Sequence, residues 1–304
     1  MNKIPLIVIC GPTASGKTAL AIEAANRFGG EIVNADSMQI YKYMNIGTAK
    51  PTKEELSSAV HHLVGFVNPK EPFSVADYVP MAHDKIKDIY DRGKMPVLAG
   101  GTGLYINSTV NDIEFGDDGT DEQIREELNN IAQRDGVEVL INMLKEFDPV
   151  CAERLHPNNA RRIIRAIEFY KTTGKPISVH QEETKHIESR YEPYMFMIDF
   201  DREVLYDRIN RRVLIMIEQG LVDEVKSLLD MGCTPDMQSM QGIGYKETVE
   251  YINGDISLDE CIDKIQQNSR RYAKRQLTWF RRDKRINLIK NAGDLKIIEK
   301  FKKI

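Results

Sequence analysis

The segment Gly11-Pro-Thr-Ala-Ser-Gly-Lys-Thr18 follows directly on the apolar run Leu6-Ile-Val-Ile-Cys10. No other junction in the chain constrains the fold as strongly. A short β-branched run favours a buried parallel strand, and the Ala-, Leu- and Glu-containing stretch from Thr18 to Phe28 favours a helix. Between them the glycines let the backbone curl so that its N–H groups converge on one anion. The helix N-terminus adds a partial positive charge, Lys17 adds a full one, and the Thr18 hydroxyl is placed to hold Mg²⁺. Gly11, Pro12, Thr13, Ala14, Ser15, Gly16, Lys17 and Thr18 form the candidate phosphate cradle. A cradle of this kind takes a diphosphate or a triphosphate without specifying what the phosphate is attached to.

Further strands are expected at Glu31–Asp36, Pro96–Ala99, Tyr194–Phe200 and Ile286–Ile289, with helical patterns between them at Val75–Arg92 and Arg202–Met231. Strands alternating with helices imply an α/β fold, a P-loop NTPase-like parallel sheet flanked by helices. Such sheets bind ligands at the C-terminal ends of their strands. The phosphate loop, Asp36 and Thr102 all fall at that edge. The stretch from Glu114 to Arg190 differs: an acidic, Gly-containing segment (114–122) opens it, and helical patterns without a good strand follow. It is expected to be a smaller all-helical insertion domain (114–190) between two parts of the core domain (1–113 and 191–304). Within it, a helix over Ala160–Thr172, capped by Asn158-Asn159, would set Ile163, Ile164, Ile167 and Tyr170 on one side. Arg161, Arg162 and Arg165 would lie towards the other.

Composition narrows the class. With 304 residues, 41% hydrophobic and 29% charged, the chain has the profile of a globular protein with a large core and two domains. Its four cysteines (Cys10, Cys151, Cys233, Cys261) are far apart and offer no C-x-x-C pair, which fits reduced thiols in a cytoplasmic protein. No apolar run reaches membrane-span length, and the N-terminal apolar stretch reads as the first strand. His61 and His62 have no third ligand at a sensible spacing and read as structural histidines. Tyr41, Tyr105 and Trp279 read by default as core residues, with base stacking as the alternative.

A net charge of −4 does not mark the whole molecule as a nucleic-acid binder, but one helix carries a local basic face. At about 100° per residue, Lys264, Arg270, Arg271, Lys274, Arg275, Arg281 and Arg282 fall within an arc of roughly 140° on the expected helix Ser257–Arg282. Ile262, Ile265, Tyr272, Ala273, Leu277, Trp279 and Phe280 occupy the opposite side. Like charges at i,i+4 repel one another; a polyanion such as an RNA or DNA backbone relieves that repulsion, and pairing with acidic residues elsewhere on the surface is the alternative.

A P-loop ATPase or GTPase carries a strand ending in Asp that holds Mg²⁺, yet here the third strand runs into Leu98-Ala-Gly-Gly-Thr102 without a carboxylate. A GTPase base-reading Asn-Lys-x-Asp motif is also missing. The nearest carboxylate to the phosphate loop is expected to be Asp36. A kinase would use it as the base for a hydroxyl acceptor, another transferase for a different nucleophile. A non-catalytic RNA-binding module using a nucleotide as a switch is a third reading.

Gly11–Thr18, Asp36-Ser-Met-Gln-Ile-Tyr41, Gly47-Thr-Ala-Lys-Pro51, His61-His-Leu63, Phe73-Ser-Val-Ala-Asp77 and Gly100-Gly-Thr-Gly-Leu-Tyr105 occur in this order. His156-Pro-Asn-Asn159, Arg161-Arg162, Gly242-Ile-Gly-Tyr-Lys-Glu247 and Lys274-Arg-Gln-Leu-Thr-Trp-Phe-Arg281 continue the series. The ordered set spans nearly the whole chain and resembles the bacterial tRNA dimethylallyltransferases, also called tRNA isopentenyltransferases. Val64-Gly65 departs from the Ile-Asp pair that often follows the two histidines. The resemblance implies transfer of a dimethylallyl group from dimethylallyl diphosphate to N6 of the adenosine immediately 3′ of the anticodon, in tRNAs reading codons that begin with U. The phosphate loop then holds a leaving group, with Mg²⁺ on Thr18, Asp36 is the base, Thr102 helps to position the amine, and Lys17 meets the developing charge. The resemblance also implies tRNA contacts at Asp36, Ser37, Met38, Gln39, Thr102, Arg125, Arg161, Arg162, Ile163, Ile164 and Arg165. Others fall at Gln241, Gly242, Ile243, Gly244, Tyr245 and Lys246, and at Lys274, Arg275, Gln276 and Arg281. The target base must leave its stack to be reached, so the insertion is expected to close over the anticodon loop. The working unit is expected to be a monomer.

Overall fold

The computed structural model describes residues 3–113, 121–184 and 188–290. The acidic opening of the expected insertion lies largely outside them. In chain order the elements are β1 (Ile4–Cys10), α1 (Lys17–Phe28), β2 (Gly30–Asn34), α2 (Lys53–Ser58), β3 (His61–His62), α3 (Val75–Asp91), β4 (Met95–Gly100) and α4 (Gly103–Val110). Five helices follow: α5 (Glu122–Asp135), α6 (Val137–Phe147), α7 (Pro149–Arg154), α8 (Ala160–Thr173) and α9 (Ile177–Thr184). The chain then forms β5 (Tyr191–Ile198), α10 (Arg202–Glu218), α11 (Leu221–Asp230), α12 (Tyr245–Ile252), α13 (Leu258–Phe280) and β6 (Ile286–Ile289).

The six strands make one parallel sheet in the order β3-β2-β4-β1-β5-β6. This is the α/β architecture expected from the alternation of strands and helices. β1 lies inside the sheet, with Leu6, Ile7, Val8 and Ile9 fully buried, as an unbroken β-branched run requires when both faces are covered. α1 packs Leu20, Ala21, Ala24 and Ala25 onto one face against Ile7, Ile9, Val97 and Phe196. A separate apolar cluster joins α10, α11, α12 and α13 to the loop after β2 through Ile40, Met44, Leu221, Val225, Tyr245 and Ile265.

Several boundaries differ from expectation. The two-residue strand β3 is too short to carry a periodic signal, yet it pairs Ile32 with His61 and Val33 with His62. β5 begins three residues before Tyr194. Pro193 sits where β5 pairs only with β1, before β6 joins at Met195, so its missing N–H costs no ladder bond on the other side. The helical stretch Arg202–Met231 is two helices, broken at Gly220, whose φ of 96° belongs to the left-handed region.

The chain divides into two compact units, Met1–Asn111 with Ser189–Ile304, and Asp112–Glu188. The described part of the second unit holds α5 to α9 and no strand. Its core is Leu128, Leu140, Leu144, Ile163, Ile164 and Ile167. Asp148 ties it locally, accepting from Cys151 N at 2.9 Å, Ser178 N at 2.9 Å and Ser178 Oγ at 2.6 Å. Asn159 stands at the N-cap of α8, but its side chain makes no cap bond. The His156 ring caps the preceding turn instead, accepting from Asn158 N.

Candidate functional site

The loop after β1 has the backbone of an anion cradle. Gly16 caps α1 with φ 80° and Ala14 takes φ 62°, so the chain turns back on itself before the helix starts. Lys17 is the first helical residue and its Nζ donates to the Pro12 carbonyl at 3.3 Å. Burial above all pulls the Lys17 ammonium down to about 8. The Asp36 carboxylate works against that shift, and the Arg212 guanidinium works with it. Two cations that repel each other over a cluster of backbone amides are stabilised when an anion enters.

Gln276 on α13 fastens this loop to the next one. Thr13 N donates to its Oε1 at 2.9 Å, and its Nε2 donates to Gly101 O at 2.8 Å. Beyond the ends of β2 and β4, Asp36 and Thr102 come together as the topology requires. Ser37 N donates to Thr102 Oγ1 at 2.9 Å, Thr102 Oγ1 donates to Ser37 Oγ at 3.1 Å, and Thr102 N donates to Ala35 O at 3.1 Å. Met38 N donates to Asp36 Oδ1 at 3.0 Å. That bond fixes the carboxylate, while Oδ2 accepts no hydrogen bond among the described residues. Tyr272 lies beside this pair; burial first, and then the Asp36 charge, raises its phenol above its ordinary range.

A cavity of about 360 Å³ opens on this arrangement. Thr13, Asp36, Ser37 and Met38 line one side, Gly47 to Ala49 a second, and Gln241 to Ile243 with Lys246 a third. Helix α10 contributes Ile209, Arg212, Val213 and Met216, the i, i+3, i+4, i+7 stripe of a single helix face. Ile265, Tyr272, Arg275 and Gln276 of α13 complete the wall. Arg212 forms no ion pair or hydrogen bond among the described residues, and burial lowers its guanidinium from its ordinary value. A smaller cavity alongside is lined by Lys17, Thr18, Asn34, Asp36, Gln39 and His61, so Asp36 borders both. Another cavity of similar volume, near Trp279, Phe280 and Arg282, touches neither Lys17 nor Asp36.

Among the described residues no three His, Cys, Asp or Glu side chains form a metal cage. The Thr18 hydroxyl lines the same small cavity as Lys17, together with oxygens of Asn34, Asp36 and Gln39. One or two hard oxygen donors, completed by phosphate oxygens, suit Mg²⁺. His62 Nε2 is bonded instead to Glu31 Oε2 at 2.7 Å, and His61 Nδ1 donates to Ala59 O at 2.8 Å.

The structure sorts the expected RNA-contacting residues into different roles. Arg271, Lys274, Arg275, Arg281 and Arg282 are exposed on α13 and just beyond it. Lys264 is paired with Glu250 at 2.7 Å, and Arg270 is bonded to Asn210. Arg161 and Arg162 are exposed on α8. Arg125 and Arg165 both bind the buried Glu168 carboxylate at 3.0 Å, so much of their charge serves the helical unit itself. Ile163, Ile164 and Tyr245 are buried, and Gln276 is 5% exposed. The side chains of Ile163, Ile164 and Tyr245 pack in the interior, while Gln276 bridges two loops and borders the cavity. Tyr41 and Tyr105 are buried, Tyr105 stacked on Tyr78 at 4.1 Å, whereas Trp279 remains 38% exposed over Gly103. Sequence reasoning missed Arg212 and the bridging role of Gln276. No local motif marks Arg212, which stands in an ordinary amphipathic stretch, and the partners of Gln276 are more than a hundred residues away.

Residues 39–283 match the family model described as IPP transferase. The chain is 51% identical over 300 residues to the tRNA dimethylallyltransferase of Acetivibrio thermocellus, covering 98% of this chain and 96% of that one. Its structure is similar to that of the full-length tRNA isopentenylpyrophosphate transferase from Bacillus halodurans, with a TM-score of 0.70, 46% identity and coverage of 94% and 90%. It is also similar to a eukaryotic dimethylallyltransferase acting on tRNA, with a TM-score of 0.82, 30% identity and coverage of 97% and 76%. A chain matched over this much of its length, with the phosphate loop, Asp36 and Thr102 gathered at one sheet edge, belongs to the IPP transferase family, the tRNA dimethylallyltransferases.

Proposed function

We propose that this chain transfers the dimethylallyl group of dimethylallyl diphosphate to N6 of the adenosine immediately 3′ of the anticodon, in tRNAs reading codons that begin with U. The observation that carries this reading is the make-up of the main cavity. One helix face sets Arg212 among Ile209, Val213 and Met216, opposite Asp36 and beside the phosphate loop. An anionic head and a branched apolar tail are what such a wall accommodates. Family membership sets aside the small-molecule kinase and the non-catalytic RNA-binding module.

The chemistry follows from the placement. The allylic C–O bond breaks, and its electron pair leaves with the diphosphate. The N6 lone pair forms the new C–N bond, and the amine, now strongly acidic, gives its proton to Asp36 Oδ2. Negative charge grows on the leaving group, where the loop amides, Lys17 and Arg212 are already aimed; preorganised stabilisation of this kind is the largest catalytic contribution in many enzymes. The Thr18 hydroxyl would hold Mg²⁺, which when bound further neutralises the diphosphate. Thr102 holds Ser37, and through it the Asp36 segment, in register with the acceptor amine.

The exposed cations of α13 supply phosphate contacts that position the anticodon stem-loop, and Arg161 and Arg162 add to them from the helical unit. The rims at Asp36–Gln39 and Gln241–Lys246 surround the flipped base. The reading takes a cytoplasmic monomer as the working unit. The test is incubation of the purified protein with dimethylallyl diphosphate, Mg²⁺ and unmodified tRNA, followed by nucleoside mass spectrometry. Dimethylallyl-adenosine at the position 3′ of the anticodon is expected; unmodified nucleosides would overturn the proposal.

A further inference from the structure

Glu224 on α11 takes no part in the chemistry above, yet its carboxylate accepts four hydrogen bonds. The amides of Asn45 and Ile46 donate to Oε2, both at 2.8 Å. The Gly47 amide donates to Oε1 at 3.1 Å, and the Tyr245 hydroxyl donates to the same oxygen at 2.7 Å. Three consecutive backbone amides converging on one carboxylate is the arrangement by which a loop binds an anion. Here the anion is a side chain of the same protein.

Tyr245 carries the connection further. Its buried ring lies against Gly47, where an added Cβ would stand 2.5 Å from Cε2, and against Gly242, where the corresponding distance to Cδ2 is 3.4 Å. The Met38 side chain covers Gly242. Gln39 grips the other side of the loop, its Nε2 donating to Thr48 O at 3.2 Å and Ala49 O at 2.9 Å. Residues 36–38, 47–49, 241–243 and 246, which line the main cavity, are therefore tied together through Tyr245, Met38 and Gln39. The loop also holds two non-glycine residues in the left-handed region, Tyr43 at φ 64° and Ala49 at φ 49°. Strain of that kind persists only when the surroundings enforce it.

We infer that Glu224 and Tyr245 are positioning residues, a latch that sets the wall of the cavity facing the RNA nucleotide. The inference rests on the proposed function for the identity of that nucleotide. The acceptor is favoured over the prenyl donor because this wall presents backbone edges, Gln241 and Lys246, and adjoins Asp36, which takes the acceptor's proton. The donor's tail has the separate apolar face of α10.

The test uses Glu224→Gln and Tyr245→Phe in the full chain. Glu224→Gln sets an NH₂ group against one pair of donors, and hydrogen bonds to a charged group carry enough free energy that about a tenfold effect is expected. Amide exchange should accelerate by about that factor at the amides that lose their acceptor, Asn45 and Ile46 on one oxygen or Gly47 on the other. With the anticodon stem-loop and donor varied separately, KM for RNA should rise about tenfold while KM for dimethylallyl diphosphate stays within about twofold. Tyr245→Phe should act in the same direction but less, and the double variant should be no worse than Glu224→Gln alone. Unchanged exchange at the three amides, or equal changes in both KM values, would overturn the latch. If Glu224→Gln does not fold, Tyr245→Phe gives the same two readouts. If the wild type makes no prenylated RNA, the function falls, while the exchange measurement still decides the latch.

Discussion

Asp36→Asn isolates the proposed base with little structural disturbance. Asn has the shape of Asp and keeps an oxygen to accept from Met38 N, the bond that holds the side chain at 3.0 Å. The oxygen lost as a base is Oδ2, which accepts no hydrogen bond among the described residues. The half-buried position borders the cavity and is not part of a packed core. Folding stability should therefore change by less than about 0.5 kcal/mol. A positioned general base contributes about 10²–10⁴ in rate, or about 3–5 kcal/mol of transition-state stabilisation. The loss should appear in kcat. Affinity for the stem-loop should hold or improve, since a negative charge beside an RNA site has been removed. Single-turnover transfer of labelled dimethylallyl groups, with enzyme in excess over stem-loop RNA, measures the chemical step directly. A rate within threefold of wild type would refute the assignment of Asp36, because an amide oxygen cannot hold the amine's proton.

Three further outcomes follow from other parts of the molecule. If the exposed cations of α13 contact RNA phosphates as proposed, log Kd against log salt should be steep, and replacing Lys274 and Arg281 by Glu should lower affinity more than tenfold and flatten the slope, each phosphate contact contributing about 0.7–0.9 to it. A slope near zero in the wild type would remove the helix from RNA binding. Buried Glu31 accepts from both terminal nitrogens of Arg92 at 2.6 and 2.7 Å, from Lys94 at 2.6 Å, and is bonded to His62 at 2.7 Å. The Arg92 guanidinium above all holds its carboxyl well below the usual range. The stabilisation is thus present above the glutamate's unfolded pKa and fades as pH falls below it. Glu31→Gln should cost about 1–3 kcal/mol at neutral pH, less than a fully buried pair because Arg92 and Lys94 are partly exposed, and should flatten the acid limb of urea stability; an unchanged acid limb would contradict this. Finally, a Cβ at Gly101 would stand 2.5 Å from Gln276 Nε2. Gly101→Ala should therefore break the bridge to Thr13 and raise KM for the prenyl donor several-fold with little change in Tm, as donor titrations against RNA at saturation would reveal.

The phosphate loop was legible because its spacing, its glycines and its place between a strand and a helix all express one requirement, an anion against backbone amides. Asp36 and Thr102 were legible for a related reason: they follow parallel strands directly, and strand ends gather at one edge whatever lies between them. The basic face of α13 could be read from helical period alone. What could not be read depends on partners far along the chain. The carboxylate of Glu224 meets amides of residues 45–47, and Gln276 meets Thr13 and Gly101. Nothing local distinguishes either residue from a solvated polar side chain on an amphipathic helix. Arg212 is set apart from its neighbour Arg211 only by which way α10 turns: Arg211 pairs with Asp207 at 2.8 Å, whereas Arg212 faces the cavity. The buried state of Ile163, Ile164 and Tyr245 shows the reverse, residues inside segments expected to contact RNA whose side chains serve by packing.

In the proposed reaction the anion held at the N-terminus of α1 is a leaving group attached to carbon. The purified protein given dimethylallyl diphosphate, ATP, Mg²⁺ and an unmodified anticodon stem-loop together tests it in one reaction. Diphosphate should be released in equal amount to N6-alkylated adenosine, with ATP untouched; phosphate passing from ATP to an acceptor while the prenyl donor remains intact would contradict it.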